Sequence, residues 1–178
     1  MSIALDAPNE VVSMSSTSLT LHMLCGKIAA GKSTLANKLG SENGTVLVVE
    51  DDWLYVLFSD EMSSASDYVR CASKLRSIMG PHISSLLNAG VSVVLDFPAN
   101  TVETRNWMRS ILEETSASHQ LHVLCASDEL CLQRLRKRNA HGDHPFAATE
   151  EQFRRFSKHF VAPSPEEGFN LVMHDEPV

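Results

Sequence analysis

Short continuous apolar runs alternate along this chain with stretches whose apolar residues recur every three to four positions. The runs are TLHMLC (20–25, entered from Leu19), TVLVVE (45–50), VSVVLD (91–96), HQLHVLC (119–125) and FNLVMHD (169–175). Runs of this length without polar alternation predict strands covered on both sheet faces. The helical pattern covers 32–40, stopped by Gly40. It continues through 62–89, broken at Gly80-Pro81 and closed by Gly90, then over 101–115, 127–139 and 150–160. Thr101 opens the third of these, and Ser127 or Asp128 caps the fourth. Strand-helix alternation predicts an α/β fold with a parallel sheet and right-handed crossovers. Ligands in such sheets bind beyond the carboxyl ends of the strands, where Gly26, Asp51, Asp96 and Cys125 fall.

Composition narrows the partners. The 178 residues suit one domain with a real core. A net charge of −7 argues against a broad surface for duplex nucleic acid. No apolar run approaches a membrane span. Residues 1–18 lack a basic start followed by an apolar stretch, so they read as a loose tail or an edge segment rather than a secretory signal. Cys25, Cys71, Cys125 and Cys131 form no C-x-x-C pair. They read as small buried thiols in a reducing cytoplasm.

The first strand runs into GKIAAGKST (26–34), which has the spacing G-x-x-x-x-G-K-[ST]. Strand, glycine loop and helix are the setting that a phosphate-cradling loop requires. Gly26 and Gly31 permit tight turning and close approach. Backbone N–H groups of 27–33 then point at phosphate oxygens, reinforced by the helix dipole beginning near Lys32. The nucleotide-holding set is Gly26, Lys27, Ala29, Ala30, Gly31, Lys32, Ser33 and Thr34. Lys32 supplies a mobile charge for the β- and γ-phosphates, and Ser33 a hydroxyl for Mg²⁺.

Asp96 ends its strand and resembles a Walker B aspartate, able to hold Mg²⁺ with Ser33. The next residue is Phe97, not a water-activating glutamate, which favours transfer to an acceptor over plain hydrolysis. Asp51 or Asp52 is suited to take a proton from an attacking hydroxyl, the other capping the following helix. Trp53 is a candidate for the acceptor pocket. His141, Asp143 and His144 offer a weak metal set without a third strong ligand. His22 and His122 read as satisfied core histidines.

The motifs GKIAAGKST, VVEDDWLYVLF, GVSVVLDFPANTVETR, LCASDELCLQRLRKRN and FVAPSPEEGF together resemble the small P-loop kinases of the AAA_33 and zeta-toxin-like group. These are relatives of chloramphenicol phosphotransferase and the nucleoside monophosphate kinases. The resemblance spans Leu19 to Asp175. It implies a three-layer P-loop NTPase fold, with a five-stranded parallel sheet in order 2-3-1-4-5 and use of ATP with Mg²⁺. It assigns Asp51 as the catalytic aspartate and Arg105 to the acceptor or the transferring phosphate. It puts Arg134 over the adenine, Arg138 at the phosphates, the lid at about 134–150, and the SPEEG segment (164–168) on the adenine rim. The group often has an arginine three residues after the catalytic aspartate; here that residue is Leu54. The expected activity is transfer of the γ-phosphate of ATP to a hydroxyl of a small molecule, by a monomer or homodimer. The alternatives are a toxin-like or polynucleotide kinase, and a nucleotide-binding switch or slow ATPase.

Overall fold

Five strands form one sheet: β1 (Thr20–Cys25), β2 (Thr45–Val49), β3 (Ser92–Pro98), β4 (Ser118–Leu124) and β5 (Leu171–His174). The structure, a computed structural model, describes residues 19–141 and 148–175. The segment 1–18, Asp143, His144 and most of the expected lid loop therefore lie outside the described residues. All strand pairings are parallel and the order is β2-β3-β1-β4-β5. This is the order expected of a P-loop kinase fold.

Among the described residues six α-helices cover the sheet: α1 (Lys32–Gly40), α2 (Glu50–Phe58), α3 (Ala65–Asn88), α4 (Val102–Glu113), α5 (Asp128–His141) and α6 (Glu150–Ser157). Alternate strand residues divide the core into two. Leu21, Met23, Leu95, Phe97 and Leu121 pack with α2, α3 and α4. Leu24, Val94 and Leu124 pack with Leu35 of α1, Leu135 of α5 and Phe153 of α6. The layers are helix, sheet and helix, so most strand residues are apolar on both faces.

Two expected boundaries moved. The helix after β2 begins at Glu50, inside the expected strand, with Glu50, Asp51 and Asp52 all in its first turn. Three carboxylates there are favoured by the positive end of the helix dipole. Asp52 makes no capping bond, and Val49 is the N-cap residue. Gly80-Pro81 does not break α3, which runs for 24 residues with Pro81 inside it. An internal proline costs about 3 kcal/mol. Leu75, Met79, Ile83 and Leu87 are buried along one face of the same helix, at about 1.5–3 kcal/mol each. Burial outweighs the break. Gly80 has a packing reason, because a Cβ there would lie 3.3 Å from Nε1 of Trp107 on α4.

Candidate active site

The glycine loop leaves β1 at Cys25 and enters α1 at Lys32. Gly31 has φ 109° and Ala29 φ 60°, so two left-handed residues curl the loop. Gly26 serves a different purpose from the expected one. A Cβ on it would sit 3.2 Å from the Cβ atoms of both Ala30 and Leu124, so its smallness admits β4 rather than a ligand. The Asn100 side chain then fastens Gly26, accepting from its N–H and donating to its carbonyl, both at 2.9 Å. A register shift between Met23 and Leu24, where Leu24 pairs with Pro98, brings the end of β3 to this position. Lys32 donates from Nζ to the carbonyls of Gly26 and Lys27 at 2.8 and 2.9 Å, holding its ammonium inside the loop.

Beside this loop opens a cleft of about 970 Å³. Of the expected site residues, Ala29, Gly31, Lys32, Ser33, Thr34, Asp51, Asp96, Arg134 and Arg138 line it. Burial lowers the pKa of Lys32, opposed chiefly by Asp96, with Cys25 and Asp51 adding smaller contributions. Burial likewise lowers that of Arg138, opposed by Asp51. Asp51 thus acts on both cations, although it comes from another element. The Nε of Arg138 is buried without a hydrogen-bond partner among the described residues. An orphan donor on an arginine that lines the cleft suits a phosphate oxygen. Arg134 donates to the carbonyl of Ala30 at 3.0 Å, steadying the loop while lining the cleft.

Among the described residues no three His, Cys, Asp or Glu side chains converge as a metal cage. Ser33 and Asp96 offer one hydroxyl and one carboxylate. That donor set fits Mg²⁺, which keeps several waters and is bound largely through substrate phosphates.

Four expected residues are placed elsewhere. Gly26, Lys27 and Ala30 are not among the lining residues. Lys27 points outward into a close ion pair with Asp128. Arg105 is fully buried and makes a two-pronged ion pair with Glu167, at 2.6 and 2.8 Å. It also donates to the carbonyls of Ala99 and Val161 at 3.0 and 2.8 Å. It pins the turn at Pro165–Glu167, part of the expected adenine rim, onto α4, and does not reach the cleft. Asp52 is exposed and also outside the cleft. So is Trp53, which is 42% exposed. Leu54 is buried in the core. Cys125 is exposed, unlike the other three cysteines, and all four are free thiols.

The cleft also holds residues the sequence reading missed. Gln152, Arg155, Phe156 and His159 line it from α6 and its exit. Their spacing of three, four and seven is one helix face, a signal that was present in the sequence. Tyr68 and Arg76 of α3 line the cleft too, together with Thr101 and Thr104. No local pattern marked these.

His22, His122 and His174 form a file across β1, β4 and β5. His22 Nδ1 lies 3.1 Å from His122 Nε2, and His122 Nδ1 lies 3.0 Å from His174 Nε2. The expectation of satisfied core histidines fits this arrangement.

Solved structures share the fold. A candidate kinase from Chloroflexus aurantiacus j-10-fl is 19% identical with a TM-score of 0.70, the match covering 89% of this chain and 85% of that one. An unliganded sugar kinase from Janibacter sp. HTCC2649 is 18% identical with a TM-score of 0.60, over the same shares of 89% and 85%. The Mycobacterium tuberculosis APS kinase in complex with AMPPNP and APS is 16% identical with a TM-score of 0.58, covering 89% and 90%. No curated protein sequence matches significantly. Residues 21–163 match the AAA_33 family, described as an AAA domain, and the chain belongs to that family.

Proposed function

We propose that the protein is an ATP-dependent phosphotransferase that moves the γ-phosphate of ATP to a hydroxyl of a small molecule. The observation that carries this reading is the meeting of Asp51 with Lys32, Ser33, Asp96 and Arg138 around one cleft. The glycine loop and Lys32 would hold the phosphates. Ser33 and Asp96 would hold Mg²⁺, which supplies charge neutralisation on the phosphate oxygens when bound. The acceptor oxygen forms a bond to the γ-phosphorus, the bond from that phosphorus to the bridging oxygen breaks, and ADP leaves. Asp51 takes the hydroxyl proton. Arg138, whose Nε has no partner among the described residues, suits the charge on the phosphoryl group in transit.

The test is ADP release with and without a panel of hydroxyl metabolites, antibiotics, nucleotides and oligonucleotides. Acceptor-stimulated turnover is expected, and the stimulating acceptor separates a small-molecule kinase from a polynucleotide kinase. Slow release that no acceptor alters would favour a nucleotide switch or slow ATPase. Asp51→Asn should lower kcat by roughly 10² to 10⁴ with ATP affinity near wild type. Asp52→Asn, outside the cleft, should leave the rate within about twofold. Full activity in Asp51→Asn would remove this carboxylate from catalysis.

A further inference from the structure

Arg76 reaches the cleft wall from α3 and is held there from two sides. Its Nε and one terminal nitrogen donate to the same oxygen of Glu50, at 3.2 and 3.1 Å. Tyr68 donates its hydroxyl to the other Glu50 oxygen at 3.2 Å. The Trp107 ring centre lies 5.9 Å from the guanidinium carbon. Glu50 is 1% exposed, whereas Arg76 is 23% exposed and lines the cleft. Burial raises the pKa of Glu50 and Arg76 draws it back, so the carboxylate depends on this arginine. Among the described residues the NH1 nitrogen of Arg76 makes no hydrogen bond. One edge of the guanidinium is therefore consumed by Glu50, and the other has no partner among the described residues, in the cleft that Asp51 also lines.

Tyr68, Thr101 and Thr104 also line the cleft, but their hydroxyls are already bonded to Glu50 and to one another, so the free nitrogen of Arg76 is the donor this group offers. A fixed guanidinium edge matches a planar or tetrahedral oxyanion and can bind it through two parallel N–H groups. The cleft charges agree. Lys32, Arg76, Arg134, Arg138 and Arg155 line it against the carboxylates of Asp51 and Asp96, in a chain of net charge −7. Glu50 offsets part of the Arg76 charge, but Arg155 makes no ion pair with a described residue.

We propose that the phosphate acceptor carries an anionic oxygen group, a carboxylate or a phosphate or sulfate ester. Arg76 binds that group while the acceptor hydroxyl lies toward Asp51. This rests on the phosphotransfer reading and names the class of its acceptor.

The test titrates glycerol, glycerate, glycerol 3-phosphate and sulfate into protein saturated with Mg²⁺ and AMPPNP, read by calorimetry. Occupying the phosphate loop keeps the probes from binding there. The anions should bind and glycerol should not, and glycerate against glycerol 3-phosphate separates carboxylate from phosphate recognition. Arg76→Gln should weaken anion binding by about tenfold or more, the loss expected for a charge-assisted hydrogen bond, with AMPPNP affinity within twofold. Because that change leaves Glu50 buried without its cation, the double variant Glu50→Gln/Arg76→Gln replaces the pair by neutral amides and should show the same loss. Undiminished anion binding in either folded variant overturns the inference. So does glycerol binding as tightly as glycerate, or wild type binding none of the anions. In each of these cases AMPPNP still binds, and the phosphotransfer reading stands. Failure of AMPPNP itself to bind removes that reading and this inference with it.

Discussion

The side-chain amide of Asn100 grips Gly26 by both backbone polar groups, accepting from the N–H and donating to the carbonyl at 2.9 Å each. Residues 74 positions apart thereby tie the end of β3 to the start of the phosphate loop. Asn100→Ala leaves the Gly26 N–H without this partner, at about 1–3 kcal/mol if it stays dry, while the carbonyl keeps Lys32 Nζ. Nucleotide affinity should fall together with thermal stability. Asn100→Asp keeps the acceptor but sets a carboxylate oxygen against the Gly26 carbonyl, so it should be no milder. Unchanged ATP affinity by calorimetry in both variants would show that the loop holds its shape without the clamp.

Arg105 should behave as a structural residue. Removing one partner of a buried ion pair costs about 3–5 kcal/mol, so Arg105→Ala should shift urea midpoints strongly. The hydrogen bond from Arg105 holds the Glu167 carboxyl below the usual carboxylate range. Its stabilising contribution is present above the unfolded carboxylate pKa and is lost as pH falls through the lower folded value. Glu167→Gln should flatten that acid limb. If Arg105→Lys keeps full stability but loses turnover, the arginine has a direct role in the cleft after all.

Arg134 and Arg138 should separate kinetically. Arg134 holds the Ala30 carbonyl, so Arg134→Ala should chiefly raise KM for ATP. Arg138→Ala should lower kcat more than it raises KM, because charge on the moving phosphoryl group matters most in the transition state. Steady-state constants within twofold of wild type for both variants would mark α5 as a solvated helix face.

The histidine file predicts a pH dependence of stability. Burial lowers the pKa of His22, and that of His122 goes down to about 4, with His22 and His174 contributing to the latter. Both histidines are therefore neutral in the fold at pH values where the unfolded chain, near pKa 6.5, takes up protons. Stability should be level above about pH 6.5 and fall as pH drops toward 4, by at most about 1.4 kcal/mol per pH unit per histidine. Chemical denaturation from pH 7.5 to 4 measures it, and His122→Gln should reduce the slope. An unchanged slope in that variant would place the acid sensitivity in other groups.

The elements were legible wherever local pattern and burial agree. The five apolar runs became the five strands because a parallel sheet covered on both faces requires side chains that are apolar in both directions. The loop at 26–34 was legible because its glycines and lysine answer to local geometry and to one ligand chemistry. Asp96 was legible from its place near a strand end, whereas Arg134 and Arg138 were placed by the resemblance to the P-loop kinases.

Sequence spacing could not place Arg105 or Arg76. Both are arginines on helices, at positions of similar local character. Arg105 meets Glu167 across 62 residues and is withdrawn into the core, whereas Arg76 meets Glu50 across 26 and is presented to the cleft. Nor could spacing set the boundary at Glu50, where Arg76 and Tyr68 draw a carboxylate into the interior. Local sequence determined which segments become strands, helices and phosphate loop, because those preferences act over a few residues of backbone. Only the tertiary structure decided which charges face the cleft, because an ion's placement depends on the partner that offsets its desolvation, and here that partner lies tens of residues away.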